Sequence, residues 1–180
     1  MTGAVAGFHR ARRRASLPDV ATGTRGTPMA VAGTHVFRVS LEAKLYRNIE
    51  IRSGKKLYDL AAAIVAAFGF YFDHPFGFYS LLEGHIFSSP VKYELFADLE
   101  DIGEPSDAGS VERTPISAAF PEIGRKMTFL FDYGDNWEFR VELTGSRRTE
   151  KGVKYPRVLK KVGRAPLQYP PEPKRWVKVR

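Results

Sequence analysis

The feature that most constrains this chain is a double run of period-two alternation near its centre. Met127, Phe129, Phe131 and Tyr133 are apolar or aromatic and alternate with Thr128, Leu130 and Asp132. After Gly134-Asp135-Asn136, Trp137, Phe139, Val141 and Leu143 alternate with Glu138, Arg140 and Glu142. Alternation puts one set of side chains on one face of an extended strand, and an Asp/Gly/Asn cluster supplies the positive φ values of a tight turn. The pattern predicts a β-hairpin over about 126–144. A hairpin with one apolar face needs further strands and a covering helix to be stable.

Both are legible upstream. In 35–42, Phe37, Val39 and Leu41 alternate with Arg38, Ser40 and Glu42, and 46–52 repeats the pattern with Ile49 and Ile51 inward. Leu57, Leu60, Ala61, Ile64, Val65 and Phe68 then recur at helical spacing, predicting one main helix over about 56–68 with Gly69 as its C′ residue. An aromatic loop, Phe70-Tyr71-Phe72-Asp73-His74-Pro75, leads into a strand expected at about 76–82, with a short partner around 85–87. Residues 97–112 carry six carboxylates among Gly, Ser and Pro and read as an exposed loop. Thr114-Pro115 are placed to start a short helical turn through Phe120. The expected class is α+β: an α/β roll with a mixed, mainly antiparallel sheet packed on one main helix.

Charge divides along the chain. Residues 1–30 hold five arginines against Asp19; residues 31–144 hold 11 basic and 17 acidic groups; residues 145–180 hold 12 basic and 2 acidic. The body is therefore acidic and the ends basic, so any argument for a polyanionic partner rests on the ends. Residues 1–33 show no period and read as a disordered basic leader, or as an over-long start with Met29 as the initiator; an Arg-rich transit peptide is the competing reading. The domain is expected over 34–158, followed by a basic, Pro-rich tail over 159–180. No apolar run reaches the roughly 20 residues of a membrane helix. The absence of cysteine removes disulfides and thiolate chemistry and suits a reducing cytoplasm.

The candidate chemistry is sparse. Asp132, Asp135 and His74, with Asp73 beside the last, are the residues from which a metal-dependent hydrolase or nuclease would be built. Each also has a structural role open to it, the aspartates fixing the turn and His74 anchoring the loop before Pro75. No metal motif and no cofactor motif is present, so neither group is expected. Phe37-Arg38-Val39-Ser40 echoes the opening strand of serine recombinases, but the clustered arginines and the helix-turn-helix such an enzyme needs do not follow. Trp137 and the aromatics of 70–79 suit a base-stacking platform or, at alternating positions, a core. Arg147, Arg148, Lys151, Lys154, Arg157, Lys160, Lys161 and Arg164, with Tyr155 among them, suit phosphate contact without sequence readout. A tail that covers and neutralises the acidic body is the other reading. The partner expected is thus nucleic acid or an acidic protein, and no membrane.

Four segments in order carry a resemblance. Phe131-Asp132-Tyr133-Gly134-Asp135-Asn136-Trp137-Glu138 resembles the Y-D-F-G-D-D-W-E-H signature of the plasmid pRiA4b ORF-3-like family. Leu45-Tyr46-Arg47-Asn48-Ile49-Glu50-Ile51 resembles its W-R-R-I-E-V strand. The Ala66-Ala67-Phe68-Gly69 helix end with Asp73-His74 resembles its A-F-G-W…D-D-H segment, and Tyr155-Pro156-Arg157 its Y-P-R-C tail. The resemblance covers roughly 34–172. It implies an α+β roll carried by bacterial insertion sequences, sometimes labelled "TnpR", with no established activity. Phe139 stands where the family has His, and Val158, Ala165 and Pro170 stand at its tail Cys positions. A metal held by those His and Cys groups in relatives is not held that way here.

Overall fold

The structure, a computed structural model, describes residues 33–98 and 107–169. The expected leader through residue 32, with its alternative start at Met29, the middle of the acidic 97–112 segment and the tail from residue 170 lie outside them.

Within these bounds the chain runs β1 (Gly33–Glu42), β2 (Leu45–Arg52), α1 (Leu57–Phe68), β3 (Phe76–Tyr79), β4 (Lys92–Glu94), β5 (Gly109–Ser110), α2 (Ile116–Ala119), β6 (Lys126–Phe131), β7 (Trp137–Arg148) and β8 (Arg157–Val162). The strands form one sheet ordered β5-β4-β3-β6-β7-β1-β2-β8, antiparallel except for the β4–β5 pair. This is the mixed, mainly antiparallel α+β architecture that the alternation and the single strong helix predict.

The helix forms where its pattern places it. Lys56 N–H is accepted by Asp59 Oδ2 at 3.0 Å, closing the first turn. Gly69 ends it at φ 79°, a left-handed value that costs a residue with Cβ, and Gly69 and Phe70 donate back to the Ala66 and Val65 carbonyls. Its face of Leu57, Leu60, Ile64, Val65 and Phe68 is buried against Phe37, Val39, Ile49, Ile51, Phe129, Phe139, Val141 and Leu143 from the sheet. Burying each large apolar side chain contributes about 1.5–3 kcal/mol, so this one layer holds the fold together.

The hairpin has the expected register, with Phe131 opposite Trp137, Phe129 opposite Phe139 and Met127 opposite Val141. The left-handed conformations of its turn fall on Asp132 (φ 59°) and Asn136 (φ 54°), not on Gly134. Beyond Thr144, β7 continues to Arg148 along the start of β1, past a bulge at Val36/Phe37, where Thr144 Oγ1 donates to the Val36 carbonyl at 2.9 Å.

Three expectations are corrected. The strand expected over 76–82 stops at Tyr79, and 85–87, expected as its partner, enters a 3-10 turn at Ile86–Ser88. The partner of β3 is β4, because Ser89 Oγ accepts from Leu81 N–H and Ser80 Oγ from Val91 N–H, closing a wider loop. The end of the 97–112 segment is ordered: β5 pairs with β4, and Val111 is fully buried. Position 158, the expected domain boundary, lies inside β8, which pairs with β2 from Glu50–Arg157 to Tyr46–Val162.

Candidate functional site

The hairpin turn and the loop before β3 meet at one end of the sheet. Asp132 is 5% exposed, and its Oδ1 accepts from the N–H groups of Gly134 (3.0 Å) and Asp135 (3.3 Å). Its own N–H donates to the Pro75 carbonyl at 3.0 Å, joining turn to loop. His74 Nε2 lies 3.6 Å from Asp132 Oδ2, and its Nδ1 is 2.8 Å from Asp73 Oδ1. The sequence candidates Asp132 and His74 are therefore brought together. Asp135 is exposed and supplies the turn with a backbone N–H.

Two residues that sequence reasoning missed complete this corner. Tyr169 Oη reaches both Asp73 oxygens (3.4 and 3.3 Å) and His74 Nδ1 (3.3 Å). Buried Gln168 accepts from Tyr71 N–H at 2.6 Å and donates to Asp73 Oδ1 and Tyr169 Oη. Both contact residues about 95 positions away, and nothing local in the sequence marks them. The hydrogen bond to Asp73 raises the His74 pKa; partial desolvation opposes it, and the negative charges of Asp132, Asp73 and Asp135 reinforce it. The same bond holds the Asp73 carboxyl below its usual range. The corner is thus an imidazole set between carboxylates that favour its protonated form. Among the described residues no group of three or more His, Cys, Asp or Glu is arranged to hold a metal ion.

The other signature residues have structural partners. Arg47 is 4% exposed; it donates to the carbonyls of Ala67, Tyr46, Val162 and Gly163 and lies 4.7 Å from the Phe68 ring centroid, tying the end of α1 to the end of β8. Trp137 packs edge-on to Phe70 at 4.8 Å. Phe70, Phe76, Phe78 and Tyr79 are buried and Phe72 is half-buried, whereas Tyr71 is exposed. Tyr133 Oη is 3.2 Å from Tyr79 Oη, which donates to Glu94 at 2.9 Å; burial pushes both phenols above their ordinary range. Glu138 is exposed on the sheet face opposite α1. Tyr155 Oη accepts from Glu150 N–H, and the Tyr155 ring lies between Arg52 and Arg157, at 5.5 and 5.4 Å. Pro156 follows it into β8.

The basic candidates form a ribbon. Arg147 and Arg148 end β7, Lys151 and Lys154 lie on the connection, Lys160 and Lys161 lie on edge strand β8, and Arg164 follows it. Among the described residues none of these seven has an ion-pair partner. Arg157 does, with Glu50 and Glu150 each at 2.7 Å.

Comparison with known proteins bears on this geometry. The solved structure of a protein of unknown function, MM3350 from Methanosarcina mazei Go1, is similar with a TM-score of 0.63 and 19% identity over 76% of this chain and 74% of that one. At that identity the likeness carries the fold. No functionally curated protein matches. The family model described as plasmid pRiA4b ORF-3-like protein matches residues 34–169, which takes in the hairpin turn, the His74 corner, Arg47 and all of β8. The chain belongs to the plasmid pRiA4b ORF-3-like family.

Proposed function

We propose that this protein is a non-catalytic accessory module of plasmids or insertion sequences, working in the cytoplasm, and that it engages nucleic acid through the basic ribbon of β7, the 149–156 connection and β8. One observation carries the reading: none of the seven ribbon cations forms an ion pair among the described residues, and of them Arg147 acts by its charge on the Glu50 carboxylate. A tail that neutralised the acidic body would place its cations on carboxylates. Here Arg157 does this, and no internal ion pair has to break before the others meet a phosphate.

The test is fluorescence anisotropy of labelled DNA and RNA oligonucleotides at several salt concentrations, using the full chain. Binding should weaken steeply with salt. The triple substitution R148E/K151E/K154E should lower the log–log salt slope on duplex DNA by about 3 with the fold intact, since each lost phosphate contact is worth about 0.9. Salt-insensitive binding, or none at low salt, would reject the proposal. Point substitution is the right tool, because deleting 145–180 removes β8 and the end of β7 from the sheet.

The alternative is a metal-dependent hydrolase or nuclease using Asp132, Asp135 and His74. The 3.6 Å approach of His74 to Asp132 favours it, and the commitment of Asp132 Oδ1 to its own turn weighs against it. Oligonucleotide cleavage that requires Mg²⁺ or Mn²⁺ and is lost in His74→Ala would establish it.

A further inference from the structure

Beside the edge strand, α1 does not fill the space between itself and β8. The flank of the helix that faces β8 carries Ala62, Ala63, Ala66 and Ala67, whose methyl groups stop short of the strand. Two hollows result, of about 360 and 170 Å³, which adjoin at Ala63, Ala66 and Pro156. Together they follow the helix from Tyr58 to Ala67, about 13 Å at 1.5 Å per residue. The larger alone is within the size range of small-molecule sites.

The lining decides what kind of molecule belongs there. The floor is hydrocarbon: the four alanines with Ile49, Ile51 and Pro156. The helix backbone is closed on itself by its own ladder, so a peptide main chain laid in the groove would find no partners for its N–H and C=O groups on that wall. An alkyl chain has none to satisfy. Charge sits at the two ends. Arg52, exposed and stacked 5.5 Å from the Tyr155 ring centroid, has no acid partner among the described residues, and neither does Lys161 at the other end. The acid on the rim, Asp59, is held by Lys55 Nζ at 3.2 Å and by Lys56 N–H at 3.0 Å. Arg157 is engaged by Glu50 and Glu150. The unspent charge of the groove is therefore positive, at the ends of an apolar trough.

We infer that this groove binds a free single-chain amphiphile with an anionic head, its alkyl chain along the alanine flank of α1 and its head on Arg52 or Lys161. The groove shares Lys161 with the basic ribbon, but the inference does not depend on that ribbon's proposed contact with nucleic acid.

The experiment titrates the full chain with decanoate below its micelle concentration by calorimetry, with decanol and decyltrimethylammonium as controls. Decanoate should bind with saturation at one per chain, more tightly than decanol, with the cation weakest. Ala66 is exposed and borders both hollows, so Ala66→Trp should fold and weaken decanoate at least tenfold. Ala62→Leu, a smaller change one turn earlier, decides the matter if the tryptophan variant fails to fold. R52Q with K161Q should erase the preference for decanoate over decanol. The inference is overturned if both groove-filling variants bind decanoate normally, if the cation binds as well as the anion, or if the chain binds only vesicles of anionic lipid and not monomeric decanoate.

Discussion

Arg157 of the edge strand closes over Glu50 of its neighbour: Nε donates to Oε2 at 2.7 Å, while the carboxylate itself is fully buried. Its other oxygen accepts from Thr34 Oγ1 at 2.6 Å. Burial alone would raise the carboxyl pKa, but the Thr34 and Arg157 hydrogen bonds and the charges of Arg157 and Arg147 outweigh it and hold Glu50 below its ordinary value of 4.5. Three strands, β1, β2 and β8, are locked by this one group.

Thr34→Val removes a hydrogen bond to a buried charge without changing shape much, and should cost about 1.5–3 kcal/mol of stability. Urea denaturation measures it; a loss under half a kilocalorie would mean that the bond is replaced by water.

Because the folded pKa of Glu50 lies below the unfolded one, its contribution to stability is complete above about pH 4.5 and is lost as pH falls through the folded value. Glu50→Gln should therefore flatten the acid limb of the stability curve as well as lower its plateau. Chemical denaturation from pH 3 to 7 would show an unchanged acid limb if the assignment were wrong.

His74 works in the opposite sense. Its folded pKa is raised, so its contribution is complete below its unfolded value of about 6.5 and is lost as pH rises through the higher folded value. In the ring-proton NMR titration, Asp73→Asn should bring the His74 midpoint down the most and Asp132→Asn by less. Equal midpoints in all three proteins would show that the carboxylates do not grip the ring.

Gly77 lies under the Tyr79 ring, where an added Cβ would stand 2.7 Å from Oη and 2.9 Å from ring carbons. Tyr79 is fully buried and its hydroxyl is held by Glu94, so the ring cannot swing away. Gly77→Ala should cost about 1–3 kcal/mol by overpacking, and the double variant with Tyr79→Leu should cost less than the sum of the two. Thermal melts of the four proteins make the cycle.

What was legible in the sequence is what has a local period. The helix announced itself through Leu57 to Phe68 and its Gly69 stop, and the hairpin through seven alternating residues on each arm. β4 is three half-exposed residues and has no alternation to read. β8 hides its period behind a bulge opposite Asn48/Ile49 and behind the lysines suited to a free edge. At the site, the turn residues were visible as turn chemistry. Glu50 looked like an ordinary outward strand position, because its burial depends on a strand more than a hundred residues later. Gln168 and Tyr169 reach the His74 corner through equally distant contacts, which no window of sequence contains.

The strand order has a kinetic consequence. β1 leaves the ribosome first among the described strands, yet one of its two neighbours is β7, reached across 108 residues in the Thr144–Val36 bond. Until β7 emerges, β1 keeps an open strand edge even once α1 has covered the face of the β1–β2 pair, and an open edge invites sticking between nascent chains. Loop closure on this scale places folding toward the slow, millisecond-to-second end of the range for small domains. Yield in a cell should therefore track how well chaperones shield that first hairpin during synthesis.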